Sequence, residues 1–275
     1  MTYRTFLTYL DGDEASEARA AAATGLARQF DAHLTFLAIG YEPNIPPYAY
    51  GEAAGAVLAE MAAVAESEAQ ERSKKAGEMI DRSGIRGDVI PVTCRFGAFA
   101  QTIGDHAQFT DLTVLTQPYG ETIPRSAADA FEGAMFDGDG AVLICPAGLE
   151  RLDAKTVMIA WNGSREALRA TRRAMPVLKQ AERVELLMIE PPEYRSEPGH
   201  QMATMLSRHG VPVEVAAEPG TVDPISTTLR RRAREMGAGL IVMGGYGHSR
   251  FREYMIGGAT RDIVSETDVP ILMAH

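Results

Sequence analysis

The chain has 275 residues, 45% of them hydrophobic and 23% charged, and a formal net charge of −10. That is ordinary globular composition, and the length suits two domains of about 100–150 residues each. The acidic balance argues against nucleic acid or an anionic membrane as the main partner, since both need clustered Lys and Arg. No apolar run approaches about 18 residues, and the start MTYRTFLTYLDGDE has no long apolar region after a basic segment. The expectation is a cytoplasmic protein without a membrane span.

Residues Arg4–Ala23, RTFLTYLDGDEASEARAAAA, give a basic residue and Thr, an apolar run, a turn containing Gly, and an Ala-rich helical pattern. Asp11-Gly12-Asp13 reads as a turn and helix N-cap, because Asp is a favoured cap. His33–Ile39 is the next apolar run. The loop Gly40–Gly51 follows it, with three prolines and with Tyr41, Tyr48 and Tyr50, and reads as a lid packing on its own half. Glu52–Arg82 places apolar residues at helical spacing and suits one long helix. Leu112–Leu115 and Ala141–Cys145 are further apolar runs. Cys94 and Cys145, in strand-like stretches without a metal or redox spacing, read as buried thiols.

A linker near Pro146–Ala154 leads into a second copy of the same template. Lys155–Ala174, KTVMIAWNGSREALRATRRA, repeats Arg4–Ala23 at a constant offset of 151. Leu240–Met243 and Val269–Met273 repeat Leu112–Leu115 and Ala141–Cys145 at an offset of 128. The apolar runs Val157–Ala160, Val184–Ile189, Val213–Ala216, Leu240–Met243 and Ile271–Met273 alternate with helical segments, among them Arg165–Lys179 and Pro224–Met236. Short apolar runs of this kind fit strands buried on both faces of a parallel sheet with right-handed crossovers. Arg230, Arg231, Arg232 and Arg234 read as a solvated helix face.

After Leu240–Met243 comes GGYGHSRFREYMIGGATRDIV, with glycines at Gly244, Gly247, Gly257 and Gly258. Glycine lets a loop turn sharply after a strand and leaves room for a close ligand. Gly257-Gly258 precedes the helical stretch Ala259–Thr267, whose N-terminal N–H groups form an anion site, with the Thr260 hydroxyl beside them. At offset 128 the glycines align with Thr116, Tyr119, Asp129 and Ala130, so the fold can be made here without them. A ligand in the second half alone is the simplest reason for their presence. His248 lies in the same loop and could donate to a phosphate. Trp161 could stack near a base or be a core residue at the sheet edge.

The segment VMGGYGHSRFREYMIGGATRDIVSETDVPILM resembles the ending of universal stress protein domains, which carry G-x2-G-x9-G and a hydroxyl residue between their fourth and fifth strands. The resemblance covers nearly the whole chain as two copies, residues 1–148 and 154–275. It implies an α/β fold of two doubly wound domains, each with a five-stranded, mainly parallel sheet, packed as an intrachain pseudo-dimer through the final strands. It implies a regulatory stress-response role and binding of ATP or another adenine nucleotide, with or without magnesium, in the second copy. The family's glycines fall on Gly244, Gly247 and Gly257, and its hydroxyl position falls on Gly258, with Thr260 retained two residues on. Its first-strand Asp falls on Asn162, and its adenine-flanking position near Ile189. The candidate site thus comprises Ala160, Trp161, Asn162 and Ile189, then Met243, Gly244, Gly247 and His248, then Gly257, Gly258, Ala259 and Thr260. The first copy keeps Asp11 and lacks the phosphate glycines. No Walker-type loop or Cys/His metal cluster is present, and with no base or metal-holding carboxylate pair evident any turnover would be slow. Expected partners are the nucleotide and other proteins, with the chain a monomeric pseudo-dimer or a homodimer.

Overall fold

The computed structural model describes residues 2–42, 54–189, 199–220, 222–245 and 258–275. In the first half, the strands are β1 (Thr5–Leu10), β2 (His33–Glu42), β3 (Arg86–Arg95), β4 (Leu112–Thr116) and β5 (Ala141–Cys145). Its helices are α1 (Ser16–Phe30), α2 (Ala54–Ser83), α3 (Phe99–Ala107) and α4 (Arg125–Phe136). The second half repeats the strand order with β6 (Thr156–Ala160), β7 (Arg183–Ile189), β8 (Val213–Glu218), β9 (Leu240–Gly244) and β10 (Ile271–Ala274). Its helices are α5 (Arg165–Arg173), α6 (Met175–Leu178), α7 (His200–Arg208), α8 (Ile225–Glu235) and α9 (Gly258–Ser265). The expected helix Arg165–Lys179 is thus two pieces meeting at Ala174. Pro176 has no N–H for the fourth carbonyl back, and the ladder breaks there.

All ten strands form one sheet in the order β3-β2-β1-β4-β5-β10-β9-β6-β7-β8. Every pairing is parallel except β5 with β10, which run antiparallel with Ile144 opposite Ile271 and Val142 opposite Met273. The halves therefore join through their last strands, and both sheet faces carry helices, as a doubly wound parallel sheet requires. One apolar cluster lies under α1, α2 and α5–α7, and the other under α3, α4, α8 and α9. The strands at the two ends, β3 and β8, alternate or lose burial, because each has a single strand neighbour.

Small residues set the closest approaches. Ala65, Ala69 and Ala76 are the buried positions of α2, and a Cβ on Gly40 would overlap the Ala65 carbonyl oxygen. The linker is pinned in the same way. Gly25 of α1 abuts the Glu150 carbonyl, and Gly239 abuts that of Asp153. Gln29 then donates from Nε2 to the Leu152 carbonyl at 2.8 Å and accepts the Leu152 N–H at 2.9 Å. One side chain thereby satisfies both backbone groups of a linker residue. Removing it in Gln29→Ala should cost about 1–2 kcal/mol, the usual range for two part-buried hydrogen bonds, measured by urea unfolding with an unchanged slope.

In the arginine run of α8, Arg231 and Arg234 are exposed, as a solvated face requires, whereas Arg230 and Arg232 are partly buried. Arg232 grips the buried Glu185 of β7 with two hydrogen bonds of 2.7 Å. Arg234 pairs with Asp268 at 3.0 Å, Arg231 with Glu235 at 2.7 Å, and Arg230 with Glu266. Exposed pairs of this kind contribute little each. The Glu185–Arg232 fork differs, because its carboxylate has no water to fall back on. Cys94 and Cys145 are buried free thiols, as expected, and burial pushes the Cys94 thiol up to about 11. Among the described residues, no helix is long and apolar enough to cross a membrane.

Candidate functional site

β6 lies between β9 and β7, with Ala160 level with Met243 on one side and with Leu187 on the other. The chain leaves β6 toward β7 and β8, and returns on the opposite side as β9 and β10. The carboxyl ends of β6 and β9 therefore flank a topological switch point, the place where open α/β sheets hold ligands. Because β9 and β10 are parallel, α9 between them must run back along the sheet. Its N-terminus therefore opens toward the same edge.

The turn after β6 is built from short polar links. Trp161 extends the ladder by donating its N–H to the Leu187 carbonyl at 2.8 Å. Asn162 is exposed, and its Oδ1 accepts the Ser164 N–H at 3.0 Å. Gly163 takes φ +80°, which a glycine adopts without strain. Ser164 caps α5, its Oγ accepting the Ala167 N–H at 3.1 Å.

Ala160 and Ile189 are half-buried against the cluster on the α8–α9 face, where Met243 is fully part of the core. Trp161 is half-buried against the opposite cluster, the one under α5–α7, which favours the core reading of its two roles. Thr260 is buried in the first turn of α9. Gly258 and Ala259 belong to that turn. Gly247, His248 and Gly257, and also Tyr48 and Tyr50, lie outside the described residues.

Gly244 has a reason that the sequence comparison missed. A Cβ there would stand 2.9 Å from the Glu166 Cβ and overlap the backbone of Ala167. The first turn of α5 rests on the end of β9, so packing alone demands a glycine at this position. α5 begins at Arg165, whereas α1 begins at Ser16, two residues later in the aligned template. This earlier start accompanies the close seat on β9.

In the first half the matching switch point, between β1 and β4, is filled by its own side chains. Arg19 is fully buried on α1, its guanidinium 3.6 Å from the centre of the Tyr9 ring. It donates to the Tyr9 carbonyl at 3.0 Å, to Asp11 Oδ1 at 2.8 Å and to Asp13 Oδ1 at 3.2 Å. Ser16 Oγ donates to Asp11 Oδ1, and the Tyr41 hydroxyl donates to Asp11 Oδ2, both at 3.1 Å. Burial alone would raise the Asp11 carboxyl. Arg19 and the hydrogen bonds from Asp13, Ser16 and Tyr41 outweigh it and hold the carboxyl below the usual carboxylate range. Both oxygens of Asp11 are thus engaged. The Asp11-Gly12-Asp13 turn is present, with Gly12 at φ +80°. Neither Asp caps α1, whose N-cap is Ala15 without a side-chain bond. The sequence offered one signal for this cluster. Arg19 falls on the same face as Ala20, Ala23, Leu26 and Ala27, an apolar stripe where a cation must have partners.

At offset 151 the second half carries Ala160 for Tyr9, Asn162 for Asp11, Ser164 for Asp13, Ala167 for Ser16 and Ala170 for Arg19. The charged cluster is thus absent there, position by position.

These features define the class: a pair of doubly wound α/β units sharing one sheet, each with a topological switch point. No family model matches the sequence, and no curated protein matches it. Solved structures do. A universal stress protein from Archaeoglobus fulgidus is 17% identical, with 98% of this chain and 95% of that one covered and a TM-score of 0.72. A putative universal stress protein from Pseudomonas aeruginosa is 13% identical, with 99% and 93% covered and a TM-score of 0.60. A protein of unknown function from the same species is 12% identical, with 99% and 92% covered and a TM-score of 0.60. The chain has the fold of the universal stress proteins, over nearly its whole length.

Proposed function

We propose that the carboxyl ends of β6 and β9 bind an adenine nucleotide, and that occupancy regulates association with protein partners in a stress response. The observation that carries this reading is the contrast between the halves. The first switch point is filled by Arg19, Tyr9 and Tyr41 around a neutralised Asp11. The second has an exposed Asn162, a half-buried Ala160 and no charged cluster in the aligned positions. The N-terminus of α9 opens toward the edge where phosphates would lie in this reading. In this reading Asn162 meets the nucleoside, Ile189 flanks the base, and Gly247, His248, Gly257 and Thr260 surround the phosphates. Residues 1–148 and 154–275 act as the two units. Among the described residues, no group of three or more His, Cys, Asp or Glu could hold a metal ion. In this reading a magnesium ion is held mainly by the phosphates themselves. No residue is assigned a catalytic role.

Isothermal titration with ATP should give one site per chain, and Gly247→Val should abolish it, because a branched side chain intrudes where the phosphates approach the backbone. Absence of heat with ATP, ADP and AMP at millimolar concentration would sink the reading. A second reading, an interaction protein without nucleotide, draws on two observations: Gly244 is explained by packing, and Asn162 Oδ1 is engaged by Ser164. In that case Gly247→Val leaves partner association unchanged.

A further inference from the structure

Away from the buried face that carries Arg19, the more exposed side of α1 at Ala21, Thr24 and Gly25 borders a second cavity. Between α1, the C-terminal end of α2 and the linker lies an open groove of about 750 Å³, within the range of small-molecule sites. Ala21 and Gly25 of α1 and Met79 of α2 give it an apolar floor. Arg28, Arg82 and Arg151 line it as well, facing one carboxylate residue, Glu150. Among the described residues, none of the three guanidinium groups has a carboxylate within 4.0 Å. Two are held in place by backbone carbonyls instead. Arg28 donates one N–H to Ser83 at 3.1 Å, and Arg82 donates one to Glu78 at 3.1 Å. A guanidinium has five N–H donors, so each of the two keeps most of its capacity. This excess of positive charge stands out on a chain of net charge −10.

The second half again serves as a control. At offset 151, Ala21, Thr24 and Gly25 become Arg172, Met175 and Pro176. The small residues that open the groove are therefore peculiar to the first half; Gly25 is also required by its contact with the Glu150 carbonyl, whereas no such contact demands Ala21 or Thr24.

We propose that this groove binds a small amphipathic organic anion, its apolar body along Ala21, Gly25 and Met79 and its anionic head between Arg28, Arg82 and Arg151. Ala21 to Arg28 spans eight helical residues, about 12 Å, which suits an extended body of medium length. A charged head paired with a guanidinium fork supplies orientation, and the apolar floor supplies area.

Isothermal titration of the full chain with decanoate, below its micelle-forming concentration, tests this. One site per chain is expected. Decanol, which lacks the charge, and inorganic phosphate, which lacks the body, should each bind at least tenfold more weakly. The double variant Arg82→Gln/Arg151→Gln should weaken decanoate at least tenfold. Ala21→Trp keeps all three arginines, fills the groove, and should abolish binding. All three substituted side chains are exposed, so circular dichroism and unfolding midpoints should match the parent. Failure of the parent to bind decanoate overturns the proposal. So does undiminished binding in either variant, or phosphate binding as tight as decanoate.

Discussion

Arg19→Ala is expected to destabilise the chain by about 3–5 kcal/mol, the range for removing one partner of a buried ion pair. Several contributions act in the same direction. Asp11 and Asp13 lose the guanidinium that, among the described residues, neutralises them, and Tyr9 loses the cation over its ring. The truncation also leaves a cavity in a fully buried site, which adds its own cost. Arg19→Met, which fills the volume without charge, should recover the cavity part and leave the carboxylates exposed as the cause of the remainder. Urea unfolding of the three proteins measures both.

The pH dependence follows from Asp11. In the parent its folded pKa lies below the unfolded value. Its contribution is therefore complete above the ordinary carboxylate range, near pH 4, and is lost as pH falls through the depressed folded value. In Arg19→Ala the burial that raises the carboxyl is opposed only by the hydrogen bonds from Asp13, Ser16 and Tyr41, so protonation costs the variant less than the parent. The stability gap between parent and variant should shrink on acidification. A gap that widens toward low pH would contradict the assignment.

The second large effect concerns two glycines inside helices. By helix propensity, Gly→Ala in a helix interior gains about 0.5–1 kcal/mol. At Gly133 of α4 the sign should reverse. A Cβ there would overlap the carbonyl oxygen of Ala100 and stand 3.0 Å from the Ala100 Cα. The obstacle is the backbone of α3, which cannot rotate away as a side chain can. Overpacking of this kind costs about 1–3 kcal/mol, so Gly133→Ala should be a net loss despite its better propensity. Gly104 on α3 faces the same crossing, 3.0 Å from the Gly133 carbonyl oxygen and 2.6 Å from the Asp137 Cβ. Gly77 of α2 is the control. Nothing lies within 4 Å of its prospective Cβ, and Gly77→Ala should stabilise by about 0.5–1 kcal/mol. Thermal unfolding of the pair tests the argument, and equal shifts of the same sign would refute it.

The crossing also matters for the candidate site. α4 carries Met135 and Phe136 to the seam between the halves. The Met135 methyl approaches Gly245, and the Phe136 ring meets His275 edge-on, with centroids 5.0 Å apart. His275 Nδ1 in turn donates to the Gly245 carbonyl at 3.1 Å. On the same face, Arg261 of α9 lies 5.0 Å from the centre of the Tyr119 ring, and Gln117 donates to the Thr267 carbonyl at 2.9 Å. First-half residues thus support the base of the second-half loop.

The sequence by itself determined the alternation of strands and helices and the two copies with their offset. These follow from local periodicity and chain order: a run's burial pattern reports whether it is strand or helix, and parallel β-α-β order leaves few topologies. The long helix α2 and the strand cores were legible for this reason. Only the tertiary structure decided which charges meet. Arg232 and Glu185 are 47 positions apart, and no periodicity reports a partner at that separation. Arg230–Arg234 therefore read as solvated, and Asp11 and Asp13 as caps, until the distances placed the first run against carboxylates and the second pair around Arg19. The same holds for Gly244. Its pattern in the chain suggested phosphate, while the backbone of α5 lying on it is a contact between elements that only packing brings together.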